Sequence, residues 1–150
     1  MKRLFFLLVA LMCVTAACAN SSQEEEMNIT ITVTNSEGKT NSLNAILAKN
    51  KSAEAFYALL KKGALTVNME DYASFEKVGS LGTSLPRTDT QITTEAGDII
   101  LYQGNQITIY YDTNRWNFTR LGKITGVTKD QLREILGSES VTVVFACASK

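Results

Sequence analysis

The stretch Ala96-Gly-Asp-Ile-Ile-Leu-Tyr-Gln-Gly-Asn-Gln-Ile-Thr-Ile-Tyr-Tyr-Asp112 decides the fold. Two apolar runs, Ile99 to Tyr102 and Ile107 to Tyr111, flank the pair Gly104-Asn105. Glycine and asparagine tolerate the positive φ of a tight two-residue turn, so the stretch predicts a β-hairpin turning at Gly104-Asn105. Ile99 and Leu101 fall on one face of the first strand, and Ile100 and Tyr102 on the other. A strand that is apolar on both faces has something packed against each side. The hairpin therefore belongs at the centre of a curved, mostly antiparallel sheet, with the rest of the chain wrapped on it.

Working outward, Asn28 to Thr34 alternates strictly and predicts a half-buried strand with Ile29, Ile31 and Val33 inward. Asn35-Ser36-Glu37-Gly38 is turn chemistry, and Thr40 to Leu47 returns as a second strand. Ser52 reads as the N-cap of a helix of about ten residues with Ala53, Phe56, Tyr57 and Leu60 as its apolar stripe and Gly63 as its stop. Leu65, Val67 and Met69 alternate in a further strand. Asp71 to Asp89 is the least regular segment. It carries two glycines and the sole proline, yet also Tyr72, Phe75, Leu81 and Leu85. A loop of that length with so many apolar groups is packed on something and is often functional. Beyond the hairpin, Trp116 to Leu121 reads as a strand entered through Asp112 to Arg115. Thr128-Lys129-Asp130-Gln131 is a capping box opening a short helix with Leu132, Ile135 and Leu136 buried and Gly137 as its end. Ser140 to Ala146 closes the chain as a valine-rich strand. The fold class is mainly β, seven or eight strands with two short helices, and that number favours a closed or nearly closed barrel because closure removes exposed edges.

The whole-chain numbers bound the function. The chain has 150 residues, 45% hydrophobic, with 15 basic and 15 acidic residues. Removing a leader that contains Lys2 and Arg3 leaves 13 basic against 15 acidic, a net charge near −2. No basic field remains for nucleic acid, so a nucleic-acid partner is not expected. There is no histidine. Serine–histidine triads, cysteine–histidine dyads and histidine-based metal sites are thereby excluded. No cofactor is called for either: Gly79-Ser80-Leu81-Gly82 lacks the lysine and helix of a phosphate loop, and Glu70-Asp71 lacks the spaced oxygen ligands of a calcium loop.

The N-terminus reads as an address. Met1-Lys2-Arg3 is a positive start, and Leu4 to Val14 is an apolar run of signal-peptide length, too short to span a bilayer comfortably. Thr15-Ala16-Ala17-Cys18 resembles the lipobox of bacterial lipoproteins, with Thr15 where leucine is usual. Residues 1–17 are then a signal peptide, Cys18 is acylated, and 18–26 form a tether reaching roughly 30 Å at about 3.3 Å per residue. The alternative is an ordinary secretory signal cut near Ala17 or Ala19. Glu24, Glu25 and Glu26 suit either a solvated linker or the acidic surface-export signal of some lipoproteins. The expected location is the bacterial cell envelope, lipid-anchored, with the outer membrane favoured; without acylation the protein would be periplasmic or secreted. Cys13 leaves with the leader and Cys18 carries lipid, so Cys147 has no disulfide partner in the remaining domain, 27–150, and reads as a small buried hydrophobe.

Several ordered motifs together resemble one family. G-D-I-I-L-Y, I-T-I-Y-Y, F-T-R-L-G-K-I, a short helix ending in L-G and a final V-T-V-V-F, preceded by M-E-D-Y-A-S-F-E-K-V-G and S-L-P, are similar to the bacterial cyclophilin-like proteins over about Met27 to Phe145. The resemblance implies an eight-stranded cyclophilin-like barrel with helices against its open ends. It does not imply prolyl isomerisation, since the histidine and the phenylalanine–methionine–glutamine strand motif of true cyclophilins are missing.

The most suggestive cluster is Tyr72, Phe75, Glu76 and Lys77 in the irregular segment with Tyr110, Trp116 and Arg120 near the central strands, and all of these but Lys77 are the ligand-binding candidates. Aromatic faces beside a carboxylate and an arginine suit a groove for an extended peptide or a small molecule. Alternatively, Phe75 and Trp116 plug the barrel while Glu76 and Arg120 form an internal ion pair. Two functions follow: a lipid-anchored binding domain without catalysis, or a peptidyl-prolyl isomerase with Arg120 as the hydrogen-bond donor. The ligand and the oligomeric state are not legible.

Overall fold

A computed structural model describes residues 26–149. The leader 1–17, Cys18 and the tether up to residue 25 lie outside the described residues.

Within the described residues, nine strands and two helices follow one another: β1 (Asn28–Thr34), β2 (Thr40–Leu47), α1 (Lys51–Lys61), β3 (Leu65–Tyr72), β4 (Glu76–Ser80), β5 (Thr90–Thr93), β6 (Asp98–Tyr102), β7 (Gln106–Tyr110), β8 (Arg115–Thr125), α2 (Lys129–Leu136) and β9 (Val141–Cys147). The strand order is β2-β1-β9-β3-β4-β7-β6-β8, and β8 returns to pair with β2. Eight antiparallel strands thus close into a barrel, as the alternating sequence predicts. Strand β8 makes the closure possible because its length is shared. Residues 115–118 pair with β5, 119–123 with β6 and 122–125 with β2. Gly122 sits where β8 meets β2, and a Cβ there would lie 2.6 Å from the Ile46 carbonyl oxygen.

The barrel interior is filled by Ile29, Ile31, Val33, Val67, Met69, Ile99, Leu101, Ile107, Ile109, Val143 and Phe145, all essentially buried. Helix α1 is capped by Asn50, whose side-chain oxygen accepts from the Ala53 amide at 2.9 Å. Ser52, expected as the cap, lies inside the helix and donates its hydroxyl to the Pro86 carbonyl at 2.6 Å. Phe56 of α1 meets Phe145 edge to face at 5.7 Å. Helix α2 has the expected capping box, Thr128 with Gln131, and buries Leu132 and Leu136 in the same core.

Two regions depart from the expectation. The central hairpin turns one residue earlier than predicted: Gln103 (φ 52°) and Gly104 (φ 81°) hold the positive angles, and the Asn105 amide bonds back to the Tyr102 carbonyl. A central pair with positive φ at both positions is the turn whose twist matches the flanking strands. The irregular segment hides strand β4, and a further strand not expected from the sequence, β5, follows directly after it. Strands β3 and β4 form a hairpin around Ala73 (φ 49°) and Ser74 (φ 61°). Positive φ at two non-glycine residues is strained backbone, and such strain gathers at functional sites.

Candidate functional site

Because side chains alternate across a strand, each barrel strand that fills the core also presents an outer face. On β4 the outward residues are Glu76 and Val78, while Lys77 and Gly79 point inward. On β6 they are Ile100 and Tyr102, on β7 Gln106, Thr108 and Tyr110, and on β8 Trp116 and Phe118. Their apolar members build a second cluster outside the barrel: Ile100, Tyr110 and Phe118, with Phe75, Ile92 and Tyr102 packed on it. Five rings touch in sequence. Tyr72 meets Phe75 edge to face at 5.7 Å, Phe75 stacks on Tyr110 at 6.0 Å, Tyr110 meets Phe118 at 5.7 Å, and Phe118 meets Tyr102 at 6.2 Å.

Over these rings opens a pocket of about 280 Å³, lined by Tyr72, Glu76, Val78, Tyr102, Gln106, Tyr110, Asn114, Trp116 and Phe118. Tyr72 and Trp116 stand at its rim, 58% and 62% exposed. Such exposure is costly for large aromatic surfaces and marks places where something else can pack. The loop holding Tyr72 and Phe75 is tied down: the Phe75 carbonyl accepts from the amides of Tyr111 (2.9 Å) and Asp112 (3.2 Å).

Glu76 is the charged residue of the pocket, and it is 8% exposed. The Tyr110 hydroxyl neighbours its carboxyl and is the polar group that acts on it. Its Oε2 is closed to solvent and has no hydrogen-bond partner, and nor has the hydroxyl of Thr108, which faces the same way on β7. Burial raises the Glu76 pKa above the ordinary 4.5, and the Tyr110 hydroxyl only partly offsets it. Tyr110 is shifted upward in turn, first by burial and then by the neighbouring Glu76 carboxyl and its charge.

A model of the cyclophilin-like family matches residues 36–146. The chain belongs to this family. Among solved structures, the cyclophilin-like chain is similar to a hypothetical protein of Archaeoglobus fulgidus determined in solution. The TM-score is 0.57 at 12% identity, over 84% of this chain and 99% of the archaeal one. At that identity the likeness speaks for the fold. Comparison with curated proteins gave no match.

The cyclophilin-like barrel brings four of the six predicted site residues to the pocket wall: Tyr72, Glu76, Tyr110 and Trp116. Phe75 lies beneath them, stacked on Tyr110. Arg120 does not join. Its guanidinium pairs with the fully buried Asp98 at 3.2 Å, so the alternative reading, an internal Glu76–Arg120 ion pair, does not hold. The reason is register. A bulge between Ile99 and Ile100 sets Arg120 opposite Ile100, on the side of that residue where Asp98 lies. Tyr102, Gln106, Asn114, Val78 and Phe118 complete the wall and were not singled out from the sequence. Strand parity was the available signal, since Tyr102 shares a face with Ile100, and Phe118 with Trp116.

The described residues contain no group of acidic or cysteine side chains placed to hold a metal. Chemically the pocket offers aromatic faces, the amides of Gln106 and Asn114, and one carboxyl.

Proposed function

We propose that this cyclophilin-like domain is a binding module, anchored to the membrane through an acylated Cys18, whose outer-face pocket takes up a small molecule or a peptide side chain without chemistry. The observation that carries this reading is the pocket itself: aromatic walls, a strained and tethered loop at the rim, and one buried carboxyl that lacks a full set of partners. Its size also speaks for it. Small-molecule sites run from about 300 to 1,000 Å³, so this pocket suits one side chain or a small ligand. An isomerase would need a donor aimed at the substrate proline, and the arginine first assigned that part is engaged with Asp98 instead. Anchoring places the pocket at the cell envelope, with the outer membrane as the favoured address.

Trp116 is the sole tryptophan and lies on the pocket wall, so its emission reports occupancy directly. Titration with short peptides, proline-containing ones included, should shift that emission saturably while leaving cis–trans exchange of the proline bond at its uncatalysed rate. Acceleration of that exchange would make the protein an enzyme, and unchanged emission with every peptide would end the binding reading. Mass spectrometry of the mature N-terminus should find acylated Cys18, and Cys18→Ser should release the protein from membranes. An unmodified terminus elsewhere would remove the anchor from the proposal.

A further inference from the structure

Among the described residues, the acids whose side chains are largely shielded from solvent face cations, and the exception is in the pocket. Asp98, fully buried, faces Arg120 at 3.2 Å and Lys123 at 3.1 Å. Asp71 takes the ammonium of Lys77 at 2.8 Å, and Asp89 takes the guanidinium of Arg87. Arg115, the base nearest Trp116 in sequence, donates to the Gln91 side chain at 2.9 Å. Glu76 is more than nine-tenths buried, lines the pocket, and has a tyrosine hydroxyl but no cation. No lysine or arginine lines the pocket with it.

A buried carboxyl without a counter-charge is unfavourable to ionise, and a ligand that brings the positive charge relieves that cost. The walls select the same sign. The faces of Tyr72, Tyr102, Tyr110, Phe118 and Trp116 carry negative quadrupole potential, which attracts ammonium and guanidinium groups. An anionic ligand would meet both the aromatic faces and Glu76 unfavourably. A neutral apolar ligand would leave Oε2 of Glu76 as it is, closed off and unpartnered.

We infer that the pocket recognises a cationic nitrogen, an ammonium or guanidinium carried on a group no larger than one long side chain, with Glu76 as its counter-charge and the aromatic rings as its wall. This inference rests on the binding reading above and names the ligand class for the same site. Recognition requires Oε2 of Glu76, closed off in the free protein, to turn toward the pocket, where the ligand nitrogen supplies the hydrogen bond that Oε2 lacks. The cation can come from a lysine or arginine side chain of a peptide or from a free amine; the chemistry at Glu76 is shared.

The test is titration of the full-length protein, followed by Trp116 emission and its indole N–H resonance, with four probes. N-acetyl-lysinamide and N-acetyl-argininamide carry the charge, N-acetyl-norleucinamide has a similar stem without it, and n-butylamine is the free amine. The two charged amides should bind at least about tenfold more tightly than the norleucine amide, a gap of the size that a desolvated cation–π and charge-assisted contact supplies. A response to n-butylamine equal to that of the lysine amide assigns the free amine as the source, and a weaker one assigns the peptide side chain. The preference should vanish in Glu76→Gln, with thermal melting showing the variant folded, and persist in Glu70→Gln, which removes an exposed charge on neighbouring β3. Equal binding of the charged and norleucine amides, or a preference that survives Glu76→Gln, would overturn the inference and leave the binding reading standing. Silence with all four probes would likewise overturn the inference, and the peptide titration described above then decides the binding reading by itself.

Discussion

Two buried carboxyls sit on the outer face of the same barrel, and they are treated in opposite ways. Asp98, at the start of β6, accepts the Glu95 amide at 2.9 Å and lies between Arg120 and Lys123. Its Oδ1 makes no hydrogen bond of good geometry, but the Lys123 ammonium is 3.1 Å away, so charge compensates it. Glu76, at the start of β4, has one tyrosine hydroxyl and no cation. Folding matched the first acid internally, and its side chains hold β6, β8 and the preceding loop together. The second acid is left over at the foot of an aromatic pocket. A fold that places two cations on one buried acid and none on the other separates a structural ion cluster from a site awaiting a partner.

The largest way to break this comparison is to strip Asp98 of its cations. Arg120→Met combined with Lys123→Met should lower stability by about 2–4 kcal/mol, toward the low end of what an uncompensated buried charge costs because both cations are partly solvent-screened. A denaturant melt of the double variant checks this, and a loss below about 0.5 kcal/mol would show that Asp98 was never held by charge.

Next is Glu76→Gln at pH 8, expected to melt at or above wild type, with a gain of about 1 kcal/mol from sparing an under-partnered buried carboxylate. The effect is linked to pH in a fixed direction. The folded Glu76 pKa lies above 4.5, so the folded state holds its proton more tightly than the unfolded chain. Wild-type stability should therefore fall as pH rises from about 4.5 through the folded value, and the Glu76→Gln variant should lose that slope. Asp71 titrates the other way. Its own burial favours the proton, but the hydrogen bonds from Lys77 and Tyr111 and the Lys77 charge together hold its pKa below 3.8. The stability it contributes is present above 3.8 and is lost as pH falls through the folded value, in wild type and variant alike. Melting curves from about pH 2 to 9 separate the two windows.

The sequence made the inner face of this barrel legible and much of its outer face obscure. Strands β1, β2, β7 and β9 read clearly because isoleucine, leucine and valine alternate with polar residues. Strand β4 did not, because its inward positions are Lys77 and Gly79. Lys77 is fully buried, donating to Asp71 at 2.8 Å and to the Glu139 carbonyl at 2.7 Å, partners that sequence alone cannot place beside it. At Gly79 an added Cβ would lie 2.5 Å from the Asn68 carbonyl oxygen and the Val67 side chain, so the glycine is a packing requirement that reads as a turn. Strand β5 has only Ile92 to declare it. For the site, aromatic residues beside an acid found Tyr72, Glu76, Tyr110 and Trp116, because side chains of those types converge on pockets. Arg120 was misplaced because its partner, Asp98, is fixed by a bulge that leaves no mark in the residue pattern.

The comparison is sharpened by giving Glu76 the counter-charge it lacks. Tyr72 lies directly opposite Glu76 across the β3–β4 pair. Tyr72→Arg should place a guanidinium against the carboxyl and change stability by about 0.2–1 kcal/mol in the favourable direction, as cross-strand opposite charges do. It should also abolish the preference of the pocket for N-acetyl-lysinamide, which the Trp116 titration reads. A retained preference would mean that Glu76 is not the recognition element. The smallest effect is expected at the rim. Trp116→Ala should alter stability by less than about 0.5 kcal/mol, since an exposed side chain contributes little to the core, while weakening ligand retention. A large loss of stability would make Trp116 part of the structure instead of the wall of a site.

Carbon-detected NMR titration of the Glu76 carboxyl in the full-length protein tests the central claim most directly. The titration midpoint should lie above the ordinary 4.5 of a glutamate in the free protein and move downward when N-acetyl-lysinamide is added, as an arriving cation stabilises the ionised form. A midpoint at or below 4.5 that the lysine amide leaves unmoved would contradict the account, because Glu76 would then already be as fully partnered as Asp98.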